Sequence, residues 1–367
     1  MLSRRGLVAI GLVALALFGF VFLRGPTPHI TIKPETIASV GGIDLTNTMI
    51  TSWLIVVILI VAVFFSTRRW EIVPRGVQNV VEAVVEAFYN LVVSVAGEKN
   101  GRRFFPVVAT IFFFVLASNW LSLMPVFNVI GKVQEEEHGF VFQERSIGPI
   151  DASVVPLSGP GGLSAASIDE DDANAGEQYE KAKSEGKIVG ELLPFLRGPN
   201  TDLNTPLALA IVSAIAVESW AISSLGLLTY GRKFINFGAL GRGVVRLNPG
   251  MIFQGIIDAF VGLLELISEL VRLISFTFRL FGNMFAGEVV ILMFTFLTPL
   301  VITIAFYGLE LFVGVIQAFI FAMLTLVFGM MAVSHGEGHG GEEKHREAAQ
   351  GGGPLEGGLE QAAPQNI

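Results

Sequence analysis

The 367-residue chain contains no cysteine, which excludes disulfides and thiolate metal sites. Charge is scarce too: only 15% of residues are Asp, Glu, Lys or Arg, against 52% hydrophobic. A soluble domain of this size carries more charge on its surface. The apolar residues are gathered in long runs and mean hydropathy is +0.64, the layout of a polytopic membrane protein. Five histidines are present, His29, His138, His335, His339 and His345, and none falls in an apolar run. No basic stripe interleaved with aromatics occurs, so nucleic-acid binding has no support. The net charge of −8 gathers mostly in one loop and the tail, so it says little about partners.

What is present is a series of apolar runs. Gly6 to Leu23 follows Arg4 and Arg5, the charge layout of a signal anchor or a signal peptide. No clean small-x-small cleavage site follows, which favours a retained anchor over residues 1–24. Met49 to Phe65 predicts a second span, ending at Arg68 and Arg69. Between Val77 and Val95, valines and Phe88 recur at steps of three and four, with Gln78, Asn79, Glu82 and Glu86 on the other face. That pattern predicts an amphipathic helix lying along the membrane surface. Phe104 to Leu123 predicts a third span, and Leu203 to Leu228 a fourth.

Residues 128–200 form an acidic insertion, with Glu135–Glu137 and Asp169–Asp172 set among Gly, Ser and Ala. It reads as a small extramembrane module or a partly disordered loop. The segment Met251 to Phe296 has no proline. As a straight helix it would reach about 70 Å at 1.5 Å per residue, against a hydrocarbon core of about 30 Å. It must be steeply tilted, bent or broken, with Gly282 and Gly287 as candidate weak points. Val301 to Val333 is overlong as well. The expected fold is therefore all-α: vertical spans, an interfacial amphipathic helix, and a C-terminal hairpin of two long tilted intramembrane helices. Core spans occupy 43–127 and 201–333, and a tail expected to be disordered begins at Ser334. Its sparse histidines lack the fixed geometry of a metal site, and nothing in the pattern calls for a cofactor. Basic residues mark alternate loops, at Arg4, Arg68, Arg102 and Arg232 among others. The positive-inside rule then places both termini in the cytoplasm and the insertion outside.

Charged side chains inside a span are costly and usually functional. The last two long segments carry Glu265, Glu269, Arg272, Arg279, Glu288 and Glu310, accompanied by Asn283 and Gln317. Arg272 has Glu269 three residues before it, so that pair can form on one helix. Arg279 has only Ser275, Phe276, Gly282 and Asn283 at helical spacing, and a guanidinium cannot shed its proton. Its counter-charge must come from another helix, with Glu310 the internal candidate, or from another chain. Glu265, Arg272 and Arg279 are spaced by seven and share a face. Glu288 lies nine residues past Arg279, about 900° of rotation, on the opposite face. A fixed cation with titratable carboxylates on other faces suits a proton route that does not run straight through.

The stretch Phe278-Arg279-Leu280-Phe281-Gly282-Asn283-Met284-Phe285-Ala286-Gly287-Glu288 resembles the signature of subunit a of rotary F-type ATP synthases. Ile316-Gln317-Ala318-Phe319-Ile320-Phe321 resembles a second family motif. Asp202-Leu203-Asn204-Thr205, and Asn119 with Pro125, are similar to weaker landmarks. The resemblance covers Ile43 to Val333 apart from the insertion. It implies a non-catalytic, proton-translocating, multi-pass subunit in the cell inner (plasma) membrane. That subunit would lie beside a ring of c subunits and near the b-subunit peripheral stalk, with proton rather than sodium as the expected ion. Two offset half-channels would meet the ring. Arg279 would match the arginine facing the ring carboxylate, with Gln317 and Asn283 near it. Glu288 would belong to the outer half-channel, Glu310 falls where relatives carry His or Glu, and Glu265, assisted by Glu269, would belong to the cytoplasmic half-channel. Asn119 and Asn204 are further polar candidates. Ser122 stands where some relatives have an acid. Glu218, inside the fourth span, matches no family landmark and is a supplementary candidate. Two other classes compete. A self-contained transporter or channel would use Arg279 to bind an anionic substrate and predicts internal repeats, which the sequence does not display. A scaffold would use its buried charges only to lock subunits together.

Overall fold

The computed structural model describes residues 11–15, 17–18, 30–68, 76–124, 126–147, 150–155, 157–158, 164–165, 167–168, 174–227, 230–231, 249–297 and 301–350. The helices are α1 (Asn47–Thr67), α2 (Val77–Ser122), α3 (Ala175–Ser184), α4 (Asn204–Leu225), α5 (Pro249–Leu297) and α6 (Val301–Gln350). Among the described residues, five helical segments are long and apolar enough to cross a membrane: Asn47–Thr67, Gln78–Ser122, Asn204–Leu225, Ile252–Leu297 and Val301–Ser334. The chain is thus a multi-pass, predominantly α-helical membrane protein. Of the N-terminal apolar run, 11–15 and 17–18 are helical; its flanking arginines lie outside the described residues, as do Arg69, Arg75, Arg232, Lys233, Arg242, Arg246 and Asp169–Asp172.

Two compact units divide the chain, residues 1–214 with 266–326, and residues 215–265 with 327–367. In the first, β1 (Thr36–Val40) and β2 (Ile43–Thr46) form a hairpin. Its turn is Gly41-Gly42, at φ 62° and 85°, the left-handed pair that a two-residue turn between twisted strands requires. Thr46 then caps α1 by accepting a hydrogen bond from the Met49 amide at 3.4 Å, relieving one of the unpaired donors of a helix start.

Helix α2 is two helices joined at Gly97, whose φ of 72° and ψ of 164° break the helical path. The amphipathic stretch folds back on the following span instead of running on from it. Phe88 stacks on Phe112 at 4.4 Å between centroids, and Tyr89 meets Phe105 edge-on at 5.1 Å. Such pairs contribute about 0.5–1.5 kcal/mol beyond area burial. Val92, Phe104, Val108 and Val115 are fully buried between the arms. The apolar stripe read as membrane-facing therefore has a protein partner for part of its length.

The insertion is folded. Its central strand β3 (Gly131–Ile147) pairs antiparallel with β4 (Ile150–Val154), β7 (Ser167–Ile168) and β8 (Ile188–Pro194). Strands β5 (Leu157–Ser158) and β6 (Ser164–Ala165) form a separate ladder. Val141, Ile168, Val189 and Ala182 of α3 make a small core, with Ala175 and Tyr179 packed against it. This small core joins apolar residues far apart in sequence, which no short-range periodicity announces.

Helix α5 passes Gly282 and Gly287 as continuous helix, so neither breaks it. At 49 residues it is about 74 Å long by the helical rise, so a bilayer can hold its apolar length only at a tilt. Helix α6 also departs from expectation. Its backbone stays helical to Gln350, past the Ser334 start of the expected tail. Glu342, Glu343, Lys344, Arg346, Ala348 and Ala349 are good helix formers. In the second unit, Ala216, Val217, Trp220, Ala221 and Tyr230 are buried.

Candidate functional site

Helices α5 and α6 present the polar residues. Phe276 of α5 packs on Phe321 of α6 at 5.0 Å, and Phe294 on Phe306 at 4.3 Å. These aromatic contacts hold the arms in register. Between them Asn283 Nδ2 donates to Gln317 Oε1 at 2.8 Å. Gln317 is buried, and its Nε2 has no hydrogen-bond acceptor, an unused donor beside the arginine turn.

Arg279 is exposed on α5, among the exposed apolar side chains Val271, Ile274 and Phe278. Among the described residues it has no ion-pair or hydrogen-bond partner. The internal pairing with Glu310 does not form. Arg272, by contrast, donates to Glu269 at 2.8 Å on its own helix, as the spacing predicts.

Glu288 lies on another face of α5 and is 13% exposed. Its Oε1 accepts from Asn128 Nδ2 at 2.9 Å and its Oε2 from Arg197 Nη2 at 3.2 Å. Arg197 is itself 7% exposed and is bonded through both terminal nitrogens. It donates through Nη2 to the Thr31 carbonyl at 2.7 Å and through Nη1 to Thr31 Oγ1 at 3.3 Å, while its backbone amide meets Thr51 Oγ1 at 3.3 Å. A buried ion pair is tolerated only when its remaining donors are satisfied in this way.

Glu310 of α6 is half-buried. Its carboxyl rests against the bare α-carbon of Gly287, in space a Cβ would fill. Glu288 and Glu310 both line a cavity of about 220 Å³, with Asn128, Tyr307, Ser122 and Thr201 among its other walls. A water needs only about 10–15 Å³ of such space, so the cavity has ample room for water. Two carboxylates on one cavity roomy enough for water can exchange protons with it.

The remaining candidates fall elsewhere. Asn119 is buried and bridges elements: its Nδ2 donates to the Gly314 carbonyl at 3.1 Å, and its Oδ1 accepts from Asn200 at 2.7 Å. Trp120 Nε1 donates to the Leu311 carbonyl at 3.1 Å. Asn204 turns back on Asp202, its amide 3.0 Å from Oδ1. Asp202, 2% exposed, also accepts from Thr48 Oγ1 at 2.8 Å. This knot ties the starts of α1 and α4 together. Glu218 accepts from the Tyr230 hydroxyl. Glu265 is partly buried on α5. The structure thus brings together Glu288 with Glu310, and Asn283 with Gln317. Asn119 and Asn204 it assigns to joints between elements.

Sequence reading missed Arg197, Asn128 and the notch at Gly287. Arg197 left a signal: it is the sole basic residue between Lys187 and Arg232. Asn128 left none, since its partner is 160 residues away.

Residues 49–329 match the family model described as ATP synthase A chain. ATP synthase subunit a of Moorella thermoacetica is 26% identical over 297 residues, 81% of this chain and 95% of the relative. That of Trichlorobacter lovleyi is 26% identical over 282 residues, covering 77% of this chain and 85% of the relative. ATP synthase subunit a 1 of Pelobacter propionicus is 27% identical over 277 residues, covering 76% and 83%.

Proposed function

This chain belongs to the ATP synthase A chain family, and from that membership we propose that it is the stator subunit carrying protons past a rotating ring of c subunits. Membership supports the non-catalytic, proton-conducting role. The observation that carries it is Arg279: the one arginine of the three in this region, with Arg197 and Arg272, that has no counter-charge among the described residues. A central arginine costs about 2.5–3.5 kcal/mol on insertion scales. An ionised carboxylate passing about 4 Å away would recover about 4 kcal/mol at an effective dielectric of 20.

The cycle follows from charge. Arg279 favours the ionised ring carboxylate as each c subunit passes. That carboxylate takes a proton from the outer route, through the cavity of Glu288 and Glu310, and travels through lipid as a neutral acid. It releases the proton to the cytoplasmic route, where Glu265 and Glu269 are candidates. Arg279 repels protons and blocks a direct leak, while Asn283 and Gln317 border it. The complex would sit in the plasma membrane with a b-subunit stalk holding this chain still. The test is Arg279→Gln in the intact membrane complex. Proton-driven ATP synthesis is expected to vanish while assembly persists; coupled transport at the wild-type rate would overturn the reading.

A further inference from the structure

We propose that Arg197 and Asn128 are positioning residues for proton transfer at Glu288, and that the two ends of the extramembrane insertion form a clasp on its carboxylate. The proposal rests on the outer-route reading of Glu288 above. Asn128 opens the insertion and Arg197 closes it, 69 residues later. Strand pairing brings them together. The Asn128 amide donates to the Leu196 carbonyl at 3.1 Å, the Phe195 amide to Ile130 at 2.9 Å, and Gly131 then pairs with Pro194 to begin the long β3–β8 ladder.

The base of that ladder is tight. A Cβ on Gly131 would run into the Leu193 carbonyl. Asn128 has a φ of 60°, the only non-glycine with positive φ among the described residues, a conformation asparagine tolerates better than most. Each end takes one oxygen of Glu288: Asn128 Nδ2 binds Oε1 at 2.9 Å, and Arg197 Nη2 binds Oε2 at 3.2 Å. Arg197 is fixed in turn by Thr31 and Thr51. The orientation of this carboxylate is therefore set by the insertion and not by its own helix. Glu310 and Tyr307 are the other titratable groups on the cavity wall, and the clasp fixes which way Glu288 faces them.

The test uses the intact synthase in inverted membrane vesicles, reading ATP-driven acidification, with assembly checked by co-purification. Arg197→Gln is expected to slow acidification at least tenfold. Asn128→Gly keeps the left-handed backbone, removes only the amide, and is expected to slow it about threefold. Both are repeated in a Glu288→Gln background, where each is expected to add less than twofold, because the clasp then has no carboxylate to orient. A general folding defect would persist in that background. Equal slowing in both backgrounds overturns the proposal, and so do wild-type rates for Arg197→Gln and Asn128→Gly when Glu288→Gln alone is slow. If Arg197→Gln does not assemble, the Asn128→Gly pair decides. Wild-type acidification in Glu288→Gln alone overturns the outer-route reading itself, a different result from the other two.

Discussion

Replacing Gly287 with alanine tests the carboxylate cavity with a single methyl group. The added Cβ would collide with the carboxyl carbon and both oxygens of Glu310. Ordinary carbon contacts lie near 3.5–4.0 Å, so the Glu310 head must withdraw by roughly 1 Å. The backbone has no reason to object. Gly287 sits inside continuous helix, where alanine is the better helix former by about 1 kcal/mol. An off-rotamer adjustment of Glu310 costs about 0.5–1.5 kcal/mol. The two effects nearly cancel, so stability and assembly should stay close to wild type. Function should not, because a displacement of about 1 Å can cost on the order of 100-fold in rate. ATP-driven acidification of inverted vesicles is expected to fall about 10- to 100-fold, with the complex recovered in normal yield. Glu310→Asp, which shortens the side chain by one methylene, should recover much of that loss when combined with Gly287→Ala. A Gly287→Ala complex that pumps within twofold of wild type refutes the reasoning; so does a double variant no faster than the single one.

Two other glycines should behave differently, one because what it meets cannot retreat and the other because its backbone conformation suits only glycine. A Cβ on Gly314 would lie 3.1 Å from Asn119 Cβ, next to the main chain. Gly314→Val should overpack this joint by about 1–3 kcal/mol and pull Asn119 off the Gly314 carbonyl, read as a lower thermal midpoint of the purified complex. Gly97, at φ 72° with open space around it, should lose about 1–2 kcal/mol as alanine through backbone strain alone. Midpoints unchanged from wild type would contradict either expectation.

How much of this was legible in sequence depended on distance along the chain. The spans were readable because hydropathy is local: Met49 to Phe65 as expected lies within α1, Asn47–Thr67. The Glu269–Arg272 pair was readable because three residues on a helix fix a distance. The fold-back at Gly97 was not, because the Val77–Val95 stripe suits a membrane surface and a neighbouring helix equally. Nor was the insertion's sheet. Its core joins Val141, Ile168, Ala182 and Val189, and the long strand β3 carries Glu135–Glu137 through a bulge between Glu135 and Phe140, which erases the two-residue alternation. Glu288 was found by its cost in lipid, but its partners came from 91 and 160 residues away.

The two arginines that matter most make the same point from opposite sides. A permanent cation in an apolar setting must be compensated, and a chain can compensate it once and for all or leave the task to something that moves. Arg197 follows the first course: buried, with Thr31, Thr51 and Glu288 around it. A charge so satisfied suits fixing a neighbour's position and not answering a passing group. Arg279 follows the second: exposed on an apolar helix face, with no partner among the described residues. On the function proposed above, its desolvation cost would be offset only when an outside carboxylate arrives, and again uncovered when it leaves. That alternation is what coupling requires. A chain that paired Arg279 internally would be more stable and could not exert a changing force on anything beside it.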